Sequence, residues 1–149
     1  DVCSSDLYFS IVKAKDDPAK FEAAVAALKE GMINANAFLE AKSGSGGGMT
    51  KKKGPFLFGD QFTLAECEAA PFVQRACVIL PAFTGDGSGA PSFVDPMKIC
   101  DDNGLDRLKE WIIATLARPS VKSAKVPDDD MKASVVRLLQ RFADMQKQK

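Results

Sequence analysis

Residues 54–80, GPFLFGDQFTLAECEAAPFVQRACVIL, determine how the rest of the chain can fold. They contain a helix start signal, because Thr63 at the N-cap can accept a hydrogen bond from the backbone N–H three residues on. Glu66 can in turn accept one from the N–H of Thr63, which completes a capping box. Phe62 and Cys67 occupy the two positions of a hydrophobic staple, so we expect Cys67 to be buried and unreactive. The stretch therefore predicts a helix that begins directly after Thr63.

The helix predicted over residues 64–80 is apolar on nearly every side, which is typical of a helix inside a core. Pro71 removes one backbone hydrogen bond and is expected to bend it. Arg75 is its one cationic residue, and a buried guanidinium needs partners. Two interpretations stay open: Arg75 pairs with a carboxylate on another helix, or it lies at the rim of a cleft and faces a ligand.

Three further helices follow from apolar spacing and from their ends. Asp17 and Pro18 suit the start of a helix of about six turns, and a second helix is predicted over residues 100–116. Asp128 begins an acidic run that suits the start of the last helix. The expected core faces are Phe21, Val25, Leu28, Met32, Ala35 and Leu39; then Leu105, Leu108, Trp111, Ile112 and Leu116; then Met131, Val135, Leu138, Phe142 and Met145. Glycine-rich and proline-rich loops are expected over residues 43–53 and 81–96, with a short helix beginning near Asp95 and a helical turn over residues 120–124. The pattern predicts an all-α bundle of about five or six helices.

Composition excludes several kinds of function. The chain of 149 residues has 20 basic and 20 acidic side chains, so net charge gives no argument for nucleic acid or an anionic membrane. It has no histidine, so it has no Ser/His/Asp or Cys/His arrangement. We therefore expect no catalytic residue and no metal site in these residues. The four scattered cysteines are expected to be reduced, as in a cytosolic protein, and no segment is long enough to span a membrane.

The same stretch resembles the central helix of the C-terminal domain of cytosolic glutathione transferases. The resemblance rests on the pattern GPF-x-x-G-x-x-x-(S/T)-x-A-(D/E), followed by APFVQR, which is most similar to the omega-like branch. A second match, LARPSVK, lies at residues 116–122. One departure is Glu66, where the family usually has aspartate. The residues that match the first pattern are Gly54, Pro55, Phe56, Gly59, Thr63, Ala65 and Glu66.

The resemblance implies a glutathione-transferase-like helical domain over residues 8–149 that lines the pocket for a small hydrophobic electrophile. Glutathione is then the co-substrate of the full-length protein, bound by an N-terminal thioredoxin-like domain that is absent from this chain. The implied pocket residues are Arg75, Phe72, Tyr8 and Met131. Only Arg75 rests on a motif match. The resemblance also implies a cytoplasmic detoxification enzyme that dimerises when full length, whereas the fragment alone is expected to be inactive.

Residues 1–7, DVCSSDL, back-translate into the end of a common sequencing adapter, so we interpret them as an artefact rather than protein. A genuine polar N-terminus is the alternative. Two other functions also stay open. The chain could be a non-catalytic interaction module, because glutathione-transferase-like helical domains also assemble translation factors and aminoacyl-tRNA synthetases. It could also be a stand-alone helical protein that starts at Asp1.

Overall fold

The computed structural model describes residues 7–44 and 54–147, which form seven helices and no strand. The all-α bundle is confirmed. The structure does not describe residues 1–6, 45–53 and 148–149. Most of the predicted artefact, residues 1–7, and most of the predicted loop, residues 43–53, therefore lie outside the described residues. The helices are α1 (Leu7–Lys13), α2 (Pro18–Gly44), α3 (Leu64–Thr84), α4 (Pro96–Asp102), α5 (Asp106–Ala117), α6 (Pro119–Ser123) and α7 (Asp128–Lys147).

Helix α3 lies at the centre of the bundle and contacts α1, α4, α5 and α7. Two groups of buried side chains hold the helices together. One joins α1, the start of α2, the end of α3 and α7, and the other joins the rest of α2 to α4 and α5. The first group is Ile11, Val12, Phe21, Ile79, Leu80, Val94, Met131 and Val135; the second is Met32, Leu39, Cys100, Leu105, Leu108, Trp111 and Ile112.

The prediction of one helix over residues 100–116 is wrong, because the helix is interrupted at Gly104. Gly104 has a φ of 64°, in the left-handed region that favours glycine. The Leu105 N–H donates to the Cys100 carbonyl at 2.9 Å and the Gly104 N–H to the Asp101 carbonyl at 3.4 Å. These are the two bonds of a Schellman cap, so α4 ends here and α5 begins in a new direction. The short helix predicted near Asp95 therefore extends to Asp102 as α4, and the next helix begins at Asp106 as α5.

The prediction that a loop begins at Pro81 is also wrong, because α3 continues through Pro81 to Thr84. The Thr84 hydroxyl donates to the Leu80 carbonyl at 2.7 Å and accepts from the Val94 N–H at 2.8 Å. This side chain holds the last turn of α3 against the segment that leads into α4. The extra turn therefore has a tertiary cause that local sequence does not reveal.

The core face of α7 differs from the predicted stripe at two positions, Leu138 and Met145, and Met145 is 53% exposed. Met131 and Val135 are buried, and the Phe142 ring lies 5.7 Å from the Phe9 ring. Leu138 is 39% exposed, and Leu139 packs against the core instead. The predicted core faces of α2 and α5 are confirmed, since their members are buried or pack against the buried groups.

Candidate functional site

The start of α3 is fixed by the buried carboxylate of Glu66, whose exposed fraction is 0%. One oxygen accepts from the Thr63 N–H at 2.8 Å and the Thr63 hydroxyl at 2.7 Å. The other accepts from the Leu57 N–H at 2.7 Å and from Trp111 Nε1–H at 3.1 Å. Glu66 thus reaches beyond its own helix cap and joins the preceding loop to α5.

These contacts keep Glu66 ionised inside the protein. Burial by itself raises the pKa of a carboxyl group, because it disfavours the charged form. The hydrogen bonds from Thr63, Leu57 and Trp111 outweigh burial and leave the pKa of Glu66 below its ordinary value. A carboxylate with four donors has no free acceptor position for a ligand, so Glu66 is a structural group.

A second clamp holds the loop before α3 from the side of α5. Arg107 donates to the Pro55 carbonyl and to the Phe56 carbonyl, both at 2.8 Å. The loop is also tightly folded on itself, since a Cβ at Gly54 would lie 2.2 Å from the carbonyl carbon of Gly59. The glycines of the GPF-x-x-G pattern therefore belong to a rigid loop that positions the first turn of α3.

The first cavity, of about 280 Å³, lies between α1, α2, α3 and α5. Its walls are almost entirely apolar, and two of the candidate residues, Tyr8 and Phe72, line it together. Gly31 of α2 leaves part of the wall open, because a Cβ there would meet nothing within 4 Å. The cavity suits an apolar group and offers few polar partners to orient one.

The second cavity, of about 540 Å³, lies between α3, α6 and the start of α7. The other two candidates, Arg75 and Met131, line it together. The Arg75 guanidinium lies 5.8 Å from the centre of the Phe72 ring, so a side chain of the second cavity contacts one of the first. The side chains that line the second cavity are Phe62, Cys67, Ala70, Pro71, Gln74, Arg75, Arg118, Ser120, Val121, Ala124, Val126 and Met131.

Of the two interpretations of Arg75, the ion pair with a carboxylate on another helix is not found, because the side chain is exposed and makes no ion pair with any residue of the described ranges. The expectation that Cys67 is buried is wrong, since this thiol is exposed. The Phe62 ring instead packs edge-on against Phe56, at 5.3 Å between ring centres. Cys67 and Arg75 both line the second cavity, and Leu64, on the same side of α3, is 73% exposed.

Arg118 is a site residue that the sequence analysis did not single out as a candidate. It is both the C-cap of α5 and the N-cap of α6, and its guanidinium lies 3.9 Å from the centre of the Phe62 ring. It also donates to the Ser120 hydroxyl at 2.5 Å. The available signal was the LARPSVK match at residues 116–122, which was used for the family resemblance and not to identify a site residue.

Trp111 and Arg107 were also missed as positioning residues. Trp111 contacts Glu66, and Arg107 contacts the loop before α3. Each contact joins residues more than forty positions apart in sequence, and no local pattern reveals such contacts.

Burial raises the pKa of Cys77 to about 12 and the pKa of Cys100 to about 11, so both thiols are protonated near neutral pH. The described residues contain no group of three or more side chains suited to a metal ion. No helix among them is both long and apolar enough to cross a bilayer.

Comparison with known proteins identifies the family. A family profile described as "Glutathione S-transferase, C-terminal domain" matches residues 22–114, which is more than half of the chain. The match covers most of α2, all of α3 and α4, and most of α5, and so includes Glu66, Phe72 and Arg75. No curated protein and no solved structure matches the chain. The chain belongs to the glutathione S-transferase C-terminal domain family.

Proposed function

We propose that this chain is the electrophile-binding domain of an omega-like glutathione transferase, whose N-terminal thioredoxin-like domain binds glutathione and precedes Tyr8. The observation that carries the proposal is the pair of neighbouring cavities along α3, joined by the contact between Phe72 and Arg75. A combined volume of several hundred Å³ with apolar walls and few polar groups suits a small molecule. In this proposal the full-length protein is a cytoplasmic homodimer that conjugates or reduces small electrophiles in detoxification.

The role of this chain is to bind and orient the electrophile. The apolar walls exclude water from the reacting carbon, and Phe72 and Met131 hold the body of the substrate. Arg75 orients its polar end. Holding an electrophile against a thiolate replaces a bimolecular encounter with a positioned one, which contributes through proximity. The group that activates the glutathione thiol belongs to the N-terminal domain, so these residues carry no catalytic nucleophile.

The test begins with the source transcript across the junction between Leu7 and Tyr8. We expect it to continue upstream into a thioredoxin-like domain, which makes residues 1–7 an artefact. The full-length protein is then assayed with glutathione and 1-chloro-2,4-dinitrobenzene. Phe72→Ala is expected to raise KM for the electrophile about tenfold through lost apolar contact, with KM for glutathione unchanged.

Phe93→Ala is the matched control, because Phe93 is 52% exposed and lines neither cavity. Equal effects of the two substitutions would contradict the assignment of the pocket. The 149 residues alone are expected to show no conjugation, and measurable turnover by them would contradict the division of roles. An initiator codon directly before Asp1, with no upstream domain, would instead favour a non-catalytic interaction module.

A further inference from the structure

The second cavity holds two cationic side chains whose charges are not neutralised. Arg75 contacts the Phe72 ring, and Arg118 contacts the Phe62 ring and the Ser120 hydroxyl. Neither forms an ion pair with any side chain in residues 7–44 or 54–147. No aspartate or glutamate in the described part of the chain lines the cavity. Among the described residues, the site therefore has positive charge without a carboxylate of its own.

Arg118 is held in place more firmly than an ordinary surface arginine. Its guanidinium is stacked on Phe62 at 3.9 Å, and Phe62 is itself packed on Phe56 in the clamped loop. The hydrogen bond to Ser120 fixes the same group from α6. A planar guanidinium that is oriented in advance loses less rotational freedom when it binds a carboxylate through two parallel hydrogen bonds. The arrangement therefore favours a planar anionic group.

The other side chains that line the second cavity determine which chemical groups the rest of the ligand should have. Apolar side chains from α3, the α6 region and α7 surround the arginines, and the volume of about 540 Å³ is that of a small-molecule site. A bare inorganic anion would leave these walls exposed to water. A ligand with an apolar body and one anionic group satisfies both parts of the cavity.

Acidic side chains near the cavity do not cancel this charge. Asp128 and Asp129 lie at the start of α7, close to Val126 and Met131 in sequence, but they do not line the cavity. Asp128 pairs with Lys125 at 2.7 Å and Asp129 with Lys132 at 3.4 Å. Asp130 is exposed to solvent, which screens its charge.

We propose that the second cavity selects small apolar molecules that carry a carboxylate, bound between Arg75 and Arg118. The inference rests on the proposed function and narrows its substrate class from hydrophobic electrophiles in general to anionic ones. The neutral members of the same size class bind more weakly, because they leave both guanidinium groups without a charged partner.

The test compares 2-naphthoate with 2-naphthamide, which have the same ring and differ in one charge. Titration calorimetry on the full chain is expected to show binding of the naphthoate about tenfold or more tighter than that of the naphthamide. Cys67 lines the same cavity and is exposed, so its alkylation by iodoacetamide, mapped by peptide mass, reports where the probe binds. Naphthoate is expected to slow this alkylation, and added salt to weaken its binding.

Arg75→Gln and Arg118→Gln are each expected to abolish the preference for naphthoate, and Arg118→Lys to restore only part of it. Arg141→Gln is the matched control: it also removes one positive charge, but from an exposed position on α7 outside the cavity, so it keeps the preference. Circular dichroism verifies the fold of each variant. Arg75 is exposed, so the Arg75→Gln variant provides the test even if an Arg118 variant does not fold.

The outcomes separate this inference from the proposed function. If both probes bind equally and protect Cys67, the second cavity is a small-molecule site but the anion preference is overturned. A preference that survives in Arg75→Gln and Arg118→Gln also overturns it. If neither probe binds nor protects Cys67, both the anion preference and the assignment of this cavity to the electrophile are overturned.

Discussion

Glu66 and Arg75 lie on the same helix and carry opposite charges, yet their surroundings differ in every respect. Glu66 is fully buried and accepts four hydrogen bonds, whereas Arg75 is exposed and contacts one aromatic ring. The start of α3 is thus a structural joint whose polar groups are already partnered. The middle of α3, by contrast, carries the Arg75 guanidinium, which has no charged partner among the described residues. The contrast shows that a charge on an apolar helix indicates a binding site only when its partners are missing.

The largest expected effect comes from breaking the joint with Glu66→Ala. The substitution leaves the N–H groups of Leu57, Thr63 and Trp111 without their acceptor, and each unsatisfied buried donor costs about 1–3 kcal/mol. We expect the free energy of unfolding to fall by about 3–5 kcal/mol, measured by urea denaturation followed through Trp111 fluorescence. Glu68→Ala removes an exposed carboxylate from the same helix and is expected to stay within about 0.5 kcal/mol. Equal losses would contradict the distinction between the two glutamates.

A comparison of two arginines tests the same distinction with cations. Arg107→Ala removes two hydrogen bonds to backbone carbonyls of the loop, so we expect a loss of about 2–3 kcal/mol. Arg75→Ala is expected to change stability by less than about 0.5 kcal/mol, because the side chain is exposed. The measurement is the midpoint of chemical denaturation at constant m-value. A larger loss for Arg75 than for Arg107 would reverse the roles assigned here.

Low pH is expected to remove the contribution of Glu66 to stability, because it protonates the carboxylate while the side chain stays in place. Burial opposes ionisation, but hydrogen bonds from Thr63, Leu57 and Trp111 hold the pKa of Glu66 below 4.5, its ordinary value. A depressed folded-state pKa stabilises the protein above the unfolded-state value, and this stability is lost as the pH falls through the folded-state value. The difference in unfolding free energy between the native chain and Glu66→Gln should therefore shrink below about pH 4.5. A difference that stays constant down to pH 2 would show that ionisation is not what stabilises the joint.

The smallest expected effects come from substitutions of Gly31, which lines the first cavity but not the second. Gly31→Ala replaces a glycine within α2 where a Cβ meets nothing, so we expect a gain of about 0.5–1 kcal/mol from helix propensity. The leucine side chain of Gly31→Leu would extend into the first cavity. We expect it to weaken the binding of an electrophile in that cavity and to leave naphthoate binding in the second cavity unchanged. Thermal unfolding and calorimetry measure the two results. Weaker naphthoate binding in Gly31→Leu would show that the cavities do not act separately.

The sequence predicted those features that depend on local spacing. The core faces of α2 and α5 follow from apolar residues three and four apart, and the short helix near Asp95 follows from its cap, which accepts from the Met97 N–H at 2.8 Å. The break at Gly104 was missed, although glycine after a run of polar residues is a helix stop signal. The continuation of α3 past Pro81 depends on Thr84 and Val94, and no rule about proline predicts that contact.

The candidate site was harder to predict, because burial on α3 depends on which helices cover it. The staple pattern led to the expectation that Cys67 is buried, whereas its thiol is exposed and lines the second cavity with Arg75. The cavity between α3, α6 and α7 brings together Phe62, Arg118 and Met131, which are far apart in sequence. A local pattern identifies such residues one at a time and does not show that they share a cavity.

The clamp of Arg107 on Pro55 and Phe56 has a consequence for how the chain can vary. The backbone is fixed from both sides at this loop, so the length of the segment before Gly54 does not alter the direction in which α3 begins. We therefore expect a tag or a second domain inserted before Gly54 to leave the direction of α3 and both cavities unchanged.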